Sequence, residues 1–223
     1  MIGIPIGLLY ADAAEWLIHK HILHGLGRTK DSFWDFHWHN HHRNSRKSGG
    51  YDFCYENSVL APGPQRTEVA GLVILAASHL PLLPIAPFFT GTVLYRTIDY
   101  YNKHKKAHLD PEWARENLPW HYDHHMGPDQ DKNWGITSCL IDKLVGTRKV
   151  YVDTPKELER RKKDIKNYEA VSASEKVEIK KDEKGKLETL VESVIFPIRT
   201  MKKLRTKLQN YAYGSLSFIG ADE

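Results

Sequence analysis

A chain of 223 residues with 41% hydrophobic content is long enough for one domain with its own core plus an appendage. Its 32 basic and 28 acidic residues leave a net charge of +4, too mild a balance to argue for a nucleic-acid partner. The two cysteines, Cys54 and Cys139, have neither zinc-knuckle nor disulfide spacing, which fits a reducing, intracellular setting.

The opening MIGIPIGLLYA is apolar but lacks a basic segment ahead of it and runs into Asp12 and Glu15, so it makes a poor signal peptide. Residues 2–26 read as one helix, stopped by Gly25 and Gly27. A short segment from Asp31 to Asn44 follows, with Asp31 or Ser32 as its cap, and then a turn-rich loop from Gly49 to Pro64. Val69 to Tyr95 carries no formal charge and is interrupted by Pro81, Pro84 and Pro87. A single crossing of a bilayer takes about 20 apolar residues, and an out-and-back crossing about twice that. If histidines on both sides of the run share one centre, its ends lie on the same side of any membrane. Arg66 before it and Arg96, Lys103, Lys105 and Lys106 after it agree with both ends facing the cytoplasm. An apolar helical hairpin over 69–97 that dips into the bilayer is therefore expected, with a soluble cytoplasmic protein as the alternative. Beyond Gly146 the histidines stop. Thr154 to Tyr168 reads as a charged helix, Lys176 to Glu192 as a β-hairpin, and Pro197 to Tyr211 as a basic helix.

The thirteen histidines carry the chemistry, because most of them fall in tight clusters: HKHILH from His19, HWHNHH from His37, HKKAH from His104 and HYDHH from His121. Imidazole is the commonest side-chain ligand for first-row transition metals, and more than four ligands imply more than one metal. On a helix, residues three and four apart share a face. His121 with His124 and His125, His104 with His108, and His37 with His41 therefore face inward together. His42 turns about 100° from His41, towards a second metal beside the first. His19 and His24, five apart, lie about 140° round an α-helix and would straddle the site or need a distorted end turn. His39 points away from His37, and His21 and the isolated His79 fall outside the set.

The order HxxxxH (His19, His24), HxxxHH (His37, His41, His42), HxxxH (His104, His108) and HxxHH (His121, His124, His125) resembles the fatty acid hydroxylase and sterol desaturase superfamily of non-haem di-iron oxygenases. EWLIHKHILHG from Glu15, which is similar to the β-carotene hydroxylase branch, GGYD from Gly49, Asp99 ahead of HKKAH, and NWGITSCLIDKLVGT from Asn133 extend the resemblance over roughly residues 10–148. It implies a dimetal centre on those ten histidines, two iron ions with zinc as a substitute in purified protein, and O2 as co-substrate. It also implies an apolar substrate and a membrane surface. No cytochrome b5-like haem segment is present, so electrons are expected from a separate ferredoxin- or cytochrome b5-like donor. Family members usually carry two transmembrane helices ahead of the first box, whereas about eighteen residues precede His19 here, so that hairpin is expected to be absent or reduced. The second box is HxxxHH where hydroxylase relatives often have HxxHH, which leaves His39 as an alternative to His37.

The expected fold is mainly α: a histidine-rich helical bundle around a dimetal centre over residues 1–149, with a small, charged α+β appendage over 150–223. Asp12, Glu15, Asp99, Asp123 and Asp142 are candidates to orient the imidazoles. Two rival functions stand beside the oxygenase. A zinc hydrolase would use the HxxxH pairs, but the histidines are in excess and HExxH is absent. A non-catalytic metal-binding protein would store metal in low-complexity tracts, unlike these aromatic-rich clusters.

Overall fold

The computed structural model describes residues 1–164, which are mainly helical, with no strand among the described residues. Helix α1 (Gly3–Leu17) runs without a break into a π-helical segment, Ile18–Leu26. A second π-helical segment, Phe36–His42, leads into the short α2 (Arg43–Lys47). After a 3₁₀ turn at Phe53–Glu56 come α3 (Pro64–His79) and α4 (Pro87–Leu109), joined through a second 3₁₀ turn at Leu80–Leu82. Three short helices follow: α5 (Pro111–Asn117), α6 (Pro119–Met126) and α7 (Leu140–Leu144).

Proline sets the starts. Helices α3 to α6 each have Pro in their first turn, where the missing N–H would lack a helical partner anyway and φ is already helical. Asp110 also caps α5 by accepting the Trp113 N–H at 3.0 Å. The cap expected at Asp31 or Ser32 is not used. Asp31 takes a left-handed φ of 66° and donates its N–H to Asp35, and no side chain caps the second π segment. The helix expected over 2–26 is continuous, but its histidine-bearing end is π rather than α.

Helix α4 is the spine, with both α1 and α3 packed against it. The hairpin expected over 69–97 is α3 and α4, bent by the prolines, with α4 extending to Leu109. No helix among the described residues is long and apolar enough to cross a membrane. The apolar end is nonetheless bare: Ile2, Ile6, Leu83, Ile85 and Phe88 are exposed, Ile85 to 78%.

The opposite end buries histidine rather than aliphatic side chains. Apolar side chains pack there in two small groups, Ala107 with Ala114 and Leu118, and Tyr122 with Met126 and Tyr151, beside the buried Tyr55, Trp134 and Ile136. The first stretch after residue 149 packs directly on this end. Asp123 accepts the backbone N–H groups of Tyr151 and Val152, at 3.0 and 2.7 Å, and the buried Glu157 accepts from Arg115 at 2.9 Å. Residues 155–164 are helical, with Thr154 Oγ1 accepting the Glu157 N–H. The β-hairpin and the basic helix expected further on lie outside the described residues, as does the end of the charged helix.

Candidate metal centre

Ten imidazoles gather at the buried end of the bundle. Ligand nitrogens of His19, His24, His37, His42 and His124 all lie within 4.8 Å of one another, and so do those of His41, His104, His108 and His125. His121 stands with the second group, its Nε2 3.1 Å from His108 Nε2. All ten rings are buried.

The π segments explain how the first group assembles. In an α-helix His19 and His24 would diverge by about 140°. With i→i+5 hydrogen bonds, residues five apart stand one above the other, so His19 with His24, and His37 with His42, share a face. Gly27 closes the first segment, where a Cβ would meet the Leu23 carbonyl oxygen at 2.0 Å and that of Trp34 at 2.6 Å. The expected pairing of His37 with His41 is thereby corrected: His37 joins His42, and His41 turns to the second group. The doublets His41-His42 and His124-His125 each place one ring in either group, because successive helical residues diverge by about 100°. Two neighbouring HH pairs thus hold the groups side by side, with the His42 and His125 rings stacked at 4.2 Å.

Hydrogen bonds at Nδ1 decide which way the lone pairs point. His19 donates to the Trp134 carbonyl at 2.6 Å, His124 to that of Lys132 at 2.7 Å and His108 to that of Gly50 at 2.8 Å. His41 donates to Asp52 at 2.8 Å and His104 to Glu68 at 2.5 Å. A neutral ring that donates from Nδ1 has only a lone pair at Nε2. Yet Nε2 of His19 lies 3.0 Å from that of His37, and Nε2 of His124 lies 3.1 Å from that of His24 and 3.2 Å from that of His42. Protonation is a poor remedy. Burial first, and then the neighbouring rings, push His19 down to about 4 and hold His37, His42, His104, His108, His121, His124 and His125 well below the ordinary histidine value. Neutral rings with converging lone pairs fit a cation: at a metal–nitrogen distance of about 2.1 Å, two ligands at right angles stand about 3.0 Å apart. His41 Nε2, His104 Nε2 and both nitrogens of His125 are buried without a protein partner, which leaves one nitrogen of each ring open to a second ion.

Of the five carboxylates expected to orient rings, none touches an imidazole. Asp12 and Asp99 pair with Arg96, Asp123 holds residues 151 and 152, Glu15 accepts from the backbone of Ile136 and Thr137, and Asp142 accepts the N–H groups of Trp134 and Gly135. Asp142 nevertheless acts through the loop it ties, because Trp134 presents its carbonyl to His19. Asp52 and Glu68 take the expected role. Asp52 belongs to the GGYD motif, whose Gly50 carbonyl receives His108 from a left-handed φ of 104°. Glu68 sits on α3 beside an apolar run with nothing in the sequence to mark it, and also accepts from the Tyr55 hydroxyl at 2.7 Å. His39 turns outwards, its Nε2 3.0 Å from the Arg28 carbonyl, and His21 is exposed. His79 is buried at the far end of α3, against Tyr10.

A cavity of ≈ 310 Å³ opens onto the rings of His19, His37, His41 and His104. Its walls are largely apolar, with Glu15, Glu68 and Arg96 set into them. Burial raises both carboxyls to about 7.

No curated protein and no solved structure matches the chain. The fatty acid hydroxylase family profile matches residues 4–147, which takes in all ten clustered histidines, the GGYD motif and the Trp134 loop. The chain belongs to the fatty acid hydroxylase family.

Proposed function

We propose that this protein is an O2-dependent di-iron oxygenase that hydroxylates or desaturates an apolar, lipid-like substrate with electrons from a separate ferredoxin- or cytochrome b5-like donor. One observation carries the reading: two adjacent groups of converging imidazole lone pairs form the floor of an apolar cavity. In the first group His19, His24, His37, His42 and His124 would hold one ion; in the second, His41, His104, His108, His121 and His125 would hold the other. Iron bound there would supply the redox chemistry that activation of O2 requires and that side chains alone lack.

The chain's own part is binding and orientation. Ile18, Ile22, Leu72 and Leu75 line the cavity and would bind an apolar chain while keeping water from the imidazole floor. Asp52 and Glu68 hold the His41 and His104 rings at Nδ1. Glu68 lies within hydrogen-bond reach of both His104 Nδ1 and the Tyr55 hydroxyl and would fix the orientation of both. The exposed apolar end of α1 and the α3–α4 hairpin would seat on a membrane surface, with the histidine end facing the cytoplasm.

The deciding experiment is metal quantitation on protein made under iron-replete conditions, followed by product analysis with a lipid panel. Two irons per chain, with turnover that needs both O2 and reductant, bear the proposal out. One zinc with O2-independent hydrolysis replaces it with a hydrolase, and metal without turnover leaves a binding protein. Sedimentation with phospholipid vesicles tests the membrane surface, and a chain that stays in the aqueous fraction removes it.

A further inference from the structure

Among the described residues, three rings of the second imidazole group are steered at Nδ1 and two are not. His41 is held by Asp52, His104 by Glu68 and His108 by the Gly50 carbonyl. His121 Nδ1 and both nitrogens of His125 are buried with no hydrogen-bond partner. Both of these rings belong to α6, so no acceptor turns them, and their direction follows from where the α6 backbone lies. His124, the α6 ring of the first group, is by contrast held at Nδ1 by the Lys132 carbonyl.

The family match ends at residue 147, and the chain beyond it packs on α6. Arg148 pairs with Asp123, in the middle of HYDHH, and the same carboxylate accepts the Tyr151 and Val152 N–H groups. At the C-terminus of a helix the last carbonyls have no partner within it. Two guanidiniums take them here. Arg46 donates to the carbonyls of His125 and Gly127, at 2.7 and 2.8 Å, and Arg160 donates to that of Met126 at 2.9 Å. Arg160 also donates to the backbone carbonyl of Arg46 at 2.8 Å, so it bridges α6 to α2. Helix α2 continues directly from the segment that carries His41 and His42, so the two arginines tie the two HH doublets together through backbone. Positive charge at a helix C-terminus is favourable, but two guanidiniums side by side repel. Burial first, and then Arg160, hold Arg46 below the ordinary arginine value. The arrangement bears that repulsion and places three of its four carbonyl hydrogen bonds on the end of α6. The same stretch is anchored on α5, where the buried Glu157 accepts from Arg115 and Arg161 pairs with Glu112.

Resting on the reading that two ions bind, we infer that Arg160 and Arg46 are positioning residues for the metal centre: they fix α6 against α2 so that His121 and His125, which no acceptor steers, face the second ion. Residues just beyond the family match thus complete the second group in this chain.

The test is metal binding, so it needs neither substrate nor turnover. The full chain, freed of metal, is titrated with Co2+ in competition with a chelator, and the step that His108→Ala removes marks the second ion. Arg160→Ala and Arg46→Ala should each weaken that step about 10- to 100-fold, the size usual for groups behind a ligand, and leave the other step within about threefold. The first ion is spared because His124 alone reaches it from α6 and keeps its Lys132 carbonyl. Arg160→Lys, which keeps the charge but loses the forked reach to two carbonyls, should fall between Arg160→Ala and the wild type. Should the alanine variants fail to fold, Arg160→Lys decides by the same two steps. Thermal melting of the metal-free variants separates positioning from stability, because a merely structural role would lower the melting temperature and weaken both steps together. Equal weakening of both steps, or folded Arg160 variants that keep both at wild-type strength, overturns the inference and leaves the oxygenase reading standing. A wild type that takes up fewer than two ions removes the two-ion reading, and the positioning role with it.

Discussion

The two imidazole groups are near-copies in ligand number, yet their rings are steered by different chemistry. In the first group the partners are neutral: the carbonyls of Trp134 and Lys132 hold His19 and His124. In the second, two of the partners are carboxylates, Asp52 on His41 and Glu68 on His104. A carboxylate behind an imidazole makes it a more basic ligand than a carbonyl does. On the proposed reading the second group would hold its ion more firmly, while the first would depend on the shape of the loop that Asp142 ties down.

Removing a ligand from either group tests the comparison most severely. His124→Ala and His108→Ala should each abolish oxidation, His124→Ala by loss of metal from the first group and His108→Ala by loss from the second. Metal quantitation beside an activity assay checks both, and full activity in either variant breaks the scheme. Next in size, Asp52→Asn and Glu68→Gln should weaken metal binding about 10- to 100-fold, with the loss confined to the second ion. Chelator competition would show this as one weakened step of two, whereas equal weakening of both would erase the asymmetry.

A pH titration of metal-free protein comes third. His19 is pushed down from 6.5 to about 4, so the folded chain binds fewer protons than the unfolded one between those values. Stability should therefore fall as pH drops below about 6.5 and go on falling to about 4, by something on the order of 3 kcal/mol from His19 alone. Denaturant unfolding across that window checks the sign, and a metal-free chain that gains stability on acidification contradicts the neutral, buried rings. The smallest effect belongs to His39→Ala, which should leave metal content unchanged and stability within about 0.5 kcal/mol. A loss of metal there would restore His39 as the alternative to His37.

Much of this centre could be read from spacing. The four histidine clusters and their helical setting follow from side-chain periodicity, and all ten clustered rings come together in the fold. The division of those rings could not be read, because α-helical geometry pairs His37 with His41, whereas the π ladder pairs His37 with His42. No local residue pattern declares an i→i+5 ladder, though the five-residue interval between His19 and His24 was a sign that an ordinary turn would not serve. Asp52 was within reach, since GGYD stood out as a motif. Glu68 was not, because a carboxylate beside an apolar run reads as the polar edge of a helix until the fold sets it against His104. The carbonyls of Trp134, Lys132 and Gly50 lay beyond any side-chain reading, since every residue has one.

The widened turns at Ile18–Leu26 and Phe36–His42 mean that the backbone stores a register. Were either segment to tighten into the commoner helix, everything past it would swing by about 100°, and the stacked rings would come apart. On the proposed reading, an ion gripped by the first group would also be a pin through two wound springs, and emptying that group would release the coil as well as the metal.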